Sequence, residues 1–269
     1  ILYVDWYNHA ETVEEMSVEE IIGFVNSIRT KISFSSFKTM TQHYSLSQLS
    51  SFYLEENPYA NGLALIENPT TVFNSIDEGK TLFTYVPKDL VEINGVPIEK
   101  IDGKKTKIYI QNNVSDSLNT MCKAIFETNE TDCGNMMITQ GYVSFETQDT
   151  LYQSGIIEYG EEEVLNYVDF PGTSIYQLGN VVKLIPLDMK EKDESIEEEE
   201  VLTMSPQQEW LIEHAHEYGF ILRFPKDKEN ETGYEYESWH YRFVGAEVAS
   251  YIHQNNITFD EYYAYYIEK

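Results

Sequence analysis

The stretch that most constrains this chain is a helix with both ends written into its sequence, followed closely by a strand. In SPQQEWLIEHAHEYGFI, Ser205 is a natural N-cap, Pro206 takes the first helical position, where its missing N–H costs nothing, and Gly219 supplies the stop. Trp210, Leu211, His214 and Ala215 share one face at helical spacing. The aromatic-rich GYEYESWHYRFVG then reads as a strand, and GAEVASYIHQNN as a terminal helix.

The same irregular alternation runs through the rest. In VEEMSVEEIIGFVNSIRTKI, Ser17 with Glu20 three residues on predicts a capped helix over 18–31. A Ser- and Tyr-rich stretch with one more amphipathic piece follows and ends at Pro58 and Gly62, which places a boundary there: a helical and irregular region over 1–60, and a main domain over 61–269. GLALIENP reads as a β-like run, and the turn signals Asn94-Gly95 and Asp102-Gly103 separate short strands. SDSLNTMCKAIFET reads as a helix with Leu118, Met121, Cys122 and Ile125 on one face. NMMITQGYVSF is a strand entering a loop, ETQDTLYQSGIIEYGEEEVLNYV is helical, and GNVVKLIPL is a strand. Hairpin-like turns in place of regular βαβ spacing predict an α+β fold, a mostly antiparallel central sheet flanked by helices.

Charge narrows the partners. With 46 acidic against 18 basic residues the net charge is −28, which excludes nucleic acid and an anionic membrane surface as ligands. Seven acids in the ten residues 191–200 read as a solvated loop. A content of 42% apolar and 14% aromatic residues excludes a disordered chain, and no apolar run is long enough to cross a bilayer. The sequence opens on Ile1, so a signal or anchor segment is expected ahead of it.

Two cysteines, Cys122 and Cys133, flank KAIFETNETD. They are either a disulfide of an exported protein or two unrelated thiols, and the spacing leaves both readings open. They do not make a structural zinc site, which needs four ligands.

Chemistry concentrates in YEYESWHYRFVG. Glu237 and His240 are three apart, so on a regular strand they point to opposite faces and share a site only across a bulge or bend. Residues 210–245, WLIEHAHEYGFILRFPKDKENETGYEYESWHYRFVG, resemble the C-terminal half of the VanY-type D-alanyl-D-alanine carboxypeptidases, zinc peptidases that trim the peptide stem of bacterial peptidoglycan. Trp210, His216, Gly219, Arg223, Thr232, Glu237, Trp239, His240, Arg242 and Gly245 all fall where that family has the same or a similar residue. Further back, YVPKDLVEI resembles its opening segment, QGYVSFETQDTLY its S-G-Y-R-S-x-x-x-Q segment, and FPGTSIYQLGNVVKL its P-G-x-S-x-H-x-x-G-x-A-x-D segment.

The resemblance implies a site and, at once, its loss. The family binds zinc through the His and Asp of that last segment together with the His of Glu-x-Trp-His. Here Ser174 and Gly179 match, but Tyr176 stands at the first ligand position and Lys183 at the Asp position, so only His240 survives. Glu237 falls on the general base, and Val143 replaces the Arg that would bind a substrate carboxylate. Gln148, Ser174 and Trp239 match positions expected near substrate, and Tyr176, Lys183, Glu237 and His240 are expected to converge. One imidazole does not hold zinc, and an ammonium at residue 183 repels a dication and is expected to pair with Glu237 instead.

Three readings follow. The first is a cell-surface domain without cofactor that binds a peptidoglycan stem peptide or a protein partner and does not cut it. The second is an active D-alanyl-D-alanine carboxypeptidase with an atypical metal site. The third is an interaction module acting through residues 1–60 or its acidic surface.

Overall fold

The computed structural model of this chain describes residues 3–42, 44–49, 82, 85–101, 103–129, 132–161, 163–187 and 205–266. The boundary expected at residues 60–61, the β-like run GLALIENP and the acidic stretch 191–200 lie outside them. In chain order the main elements are α1 (Val4–Val13), α2 (Val18–Ile28), α3 (Phe34–Met40), β1 (Leu90–Glu92), β2 (Lys100–Ile101), β3 (Lys104–Lys105), β4 (Tyr109–Gln111), α4 (Asn112–Asn129), β5 (Met136–Gln140), α5 (Phe145–Tyr159), β6 (Val181–Pro186), α6 (Pro206–His214), β7 (Phe220–Phe224), α7 (Glu229–Thr232), β8 (Glu237–Phe243), α8 (Ala246–Asn255) and α9 (Phe259–Tyr266). They form two units, Ile1–Val86 with Val143–Gln177, and Pro87–Tyr142 with Leu178–Lys269.

The first unit is helical. Its α2 begins at the capping box the sequence announces: Ser17 Oγ accepts from the Glu20 backbone N–H, and the Glu20 carboxylate accepts from the Ser17 N–H. The helix buries Ile21, Phe24, Val25 and Ile28 against Trp6, Phe37, Tyr152 and Phe170, and each such side chain contributes about 1.5–3 kcal/mol. It closes at Ile28, short of the expected Lys31. Ser144 caps α5, which stops at Tyr159 because Gly160 takes φ 86°. The helix expected to continue through residue 168 is therefore broken, and only a 3-10 turn over Val164–Asn166 follows.

The second unit is built on a four-stranded sheet in the order β5-β6-β8-β7, with every pairing antiparallel. One face carries Ile138, Val182, Leu184, Phe220 and Tyr241 into a core with Val114, Leu118, Met121 and Ile125 of α4. Of the two readings left open for the cysteines, the disulfide is the one found: Cys122 and Cys133 are bonded with Cα atoms 4.2 Å apart, clipping α4 to the turn before β5. Gly219 has φ 86°, and a Cβ there would meet the Phe243 ring at 2.6 Å, so only glycine passes from the 3-10 turn after α6 into β7. On the sheet's outer side, Asp260 of α9 accepts two hydrogen bonds from Arg223, at 2.6 and 3.0 Å. Arg242 lies beside Arg223 with its guanidinium carbon 4.1 Å from the Phe259 ring centroid, and burial pushes its pKa down to about 9.

Candidate functional site

The site grows from a defect in the pairing of β8. Against β6 the strand is regular: Val181 faces Arg242, Val182 faces Tyr241 and Lys183 faces His240. Since Val182, Leu184 and Tyr241 point into the core, Lys183 and His240 stand together on the opposite face. Against β7 the register slips, Leu222 pairing with Tyr241 but Phe224 with Glu237, so β8 spends four residues where β7 spends two. This bulge carries Glu237 round to His240, the condition on which the spacing of the two residues depends.

The Glu237 carboxylate and His240 Nδ1 are hydrogen-bonded, with side chains 27% and 14% exposed. An ionised carboxylate only accepts, so with Glu237 ionised Nδ1 is the donor. Lys183 does not make the expected pair with Glu237: its ammonium lies 5.3 Å from the Trp239 ring centroid and forms neither an ion pair nor a hydrogen bond with any described residue. The carboxylate is instead taken by His240 Nδ1 of the same strand. Ser238 is buried, and Gln208 of α6 donates from Nε2 to its Oγ at 3.0 Å, which ties α6 to the start of β8. Phe224 meets the His240 ring edge-on at 5.8 Å and stacks on Tyr234 at 4.5 Å, giving the patch an aromatic floor.

The other sequence-derived positions belong to the first unit. Tyr176 is 5% exposed, and its carbonyl accepts from the Val143 N–H at 3.4 Å, which brings those two positions together. Ser174 is buried, and Gln148 is buried with its amide donating to the Asp169 carbonyl at 2.8 Å. Within their unit, Gln148 and Ser174 are built into the packing. Sequence reasoning missed Gln208, Phe224 and Tyr234, which support the patch, and the Arg223–Asp260 pair on the sheet's outer side. A signal for the helix bearing Asp260 exists: Thr258 and Glu261 form a capping box at its start.

Fold and motif define a class. The sequence model of the D-alanyl-D-alanine carboxypeptidase family VanY matches residues 107–246, and the chain belongs to that family. It is 31% identical over 229 residues to the putative carboxypeptidase YodJ of Bacillus subtilis (strain 168), across 85% of this chain and 80% of that protein. It is 30% identical over 147 residues to a D-alanyl-D-alanine carboxypeptidase of Enterococcus faecalis (strain ATCC 700802 / V583), across 51% of each. Among solved structures it resembles the LdcB LD-carboxypeptidase, a structure concerned with peptidoglycan recognition, with a TM-score of 0.61, 29% identity, and coverage of 78% of this chain and 88% of that one. The fold also matches the D,D-pentapeptidase VanY of the VanB-type resistance cassette, solved with Zn(II), at a TM-score of 0.50 and 24% identity over 75% of this chain and 98% of that one.

Proposed function

We propose that this chain is a non-catalytic member of its family, a domain of the bacterial cell surface that recognises a peptidoglycan stem peptide without cutting it. The pairing of Lys183 with His240 across β6 and β8 carries the reading. A catalytic zinc needs three protein donors and an open fourth position. The sheet offers one imidazole and one carboxylate already bonded to each other, beside an ammonium. Among the described residues no three His, Cys, Asp or Glu side chains gather in a way that could hold a metal ion. This donor set does not suit a dication.

The ligand class rests on kinship. Peptidoglycan recognition is the subject of the LdcB structure, and D-alanyl-D-alanine names the family's substrate. A ligand in the cell wall would require the domain to act outside the cytoplasm. No helix among the described residues is long and apolar enough to cross a membrane. The test is calorimetric titration of the purified chain with a muramyl pentapeptide, followed by assay of the mixture for free D-Ala. Saturable binding with no D-Ala released is expected. Release of D-Ala, or no binding at all, contradicts the proposal.

A further inference from the structure

We infer that Lys183 and Trp239 form a receptor for the free carboxylate of a peptide, on the face of the sheet that turns away from the core. The inference deepens the recognition reading above and rests on it. Lys183 Nζ lies 5.3 Å from the Trp239 ring centroid, within cation–π range, so a flexible four-carbon side chain is held at a defined place. Its ammonium has no ion pair or hydrogen bond with any described residue, in a chain of 46 acidic and 18 basic residues. Where carboxylates outnumber ammonium groups so heavily, a lysine left without one is a position open to an incoming anion.

The neighbouring acid explains why the position stays open. Glu237 is the carboxylate nearest in the strand, and it is taken by His240 Nδ1. Among the described residues the patch then holds one cation with no carboxylate paired to it, next to the indole of Trp239. A single carboxylate balances that charge. A phosphate would bring a second negative charge toward Glu237 and into the field of a chain of net charge −28.

Calorimetry on the full chain tests this with three probes: a tripeptide ending in free D-Ala-D-Ala, its C-terminal amide, and the same amide carrying a glutamate side chain. The free acid should bind about tenfold or more tighter than the plain amide, the scale of a charge-assisted hydrogen bond. Lys183→Met should abolish that preference, while Lys183→Arg should keep it, which separates loss of charge from loss of fold. The glutamate probe shows whether a side-chain carboxylate serves as well as a terminal one, and binding of either that depends on Lys183 supports the receptor. Equal binding of acid and amide, an unchanged preference in Lys183→Met, or no binding of any probe overturns it. Release of D-Ala by the unmodified chain would instead defeat the non-catalytic reading, whatever Lys183→Met does.

Discussion

Glu237 and His240, three residues apart on one strand, are hydrogen-bonded side chain to side chain because β8 carries extra residues against β7. A regular strand would hold them on opposite faces. The bulge therefore does two things: it joins the family's base position to its surviving ligand position, and it leaves Lys183 with Trp239 as its neighbour. If this is so, straightening the strand should separate the pair. Gln208, whose amide bonds to Ser238, is the support to remove. Gln208→Leu should weaken peptide binding while the far side of the sheet keeps its fold, and chemical-shift changes confined to the start of β8 would show it.

Asp260→Ala should be strongly destabilising. It would strand the Arg223 guanidinium, 1% exposed, beside a second buried guanidinium at Arg242. Removing one partner of a buried pair costs about 3–5 kcal/mol, to be read from urea denaturation. A loss within 1 kcal/mol would show that α9 is not pinned by this pair.

How much of this was legible beforehand depends on how local each cause is. The starts of α2 and α6 are written in Ser17 with Glu20 and in Ser205 with Pro206, because a cap is settled within four residues. The stop of α5 at Gly160 and the capping box at Thr258 were equally local signals, and both were passed over. The Glu237–His240 contact was not readable from spacing, since the bulge exists only in pairing with β7. The identities of the site positions came from resemblance to the family, and nothing in the spacing alone would have singled out Lys183. The disulfide stayed open for a related reason: the left-handed turn at Cys133 and Gly134, which brings the sulfurs together, has no signature in the cysteine spacing.

That disulfide should matter to stability. Its cysteines are separated by 11 residues, and closing a loop of this size contributes about 2–4 kcal/mol. Cys122→Ala with Cys133→Ala should lower the urea midpoint accordingly, and thiol titration of the oxidised, denatured chain should find no free thiol.

Acid should loosen α8. The His253 ring stacks on His216 at 3.8 Å, and burial, then His216, lowers the His253 pKa, with His214 adding to the effect and Glu213 and Glu217 opposing it. A depressed folded-state pKa means that the unfolded chain takes up the proton first, so stability is present above the ordinary value near 6.5 and is lost as pH falls below it. The Tm should drop between about pH 7.5 and 5.5, and drop less in His253→Gln. The same slope in both proteins would show that the stack is not responsible.

Metal content tests most directly whether the scaffold has outlived its metal site. Protein purified without chelator should contain no stoichiometric zinc by elemental analysis, and adding zinc should produce no release of D-Ala from a muramyl pentapeptide. One zinc per chain, with D-Ala release abolished by Glu237→Gln, would contradict the account and establish a working peptidase.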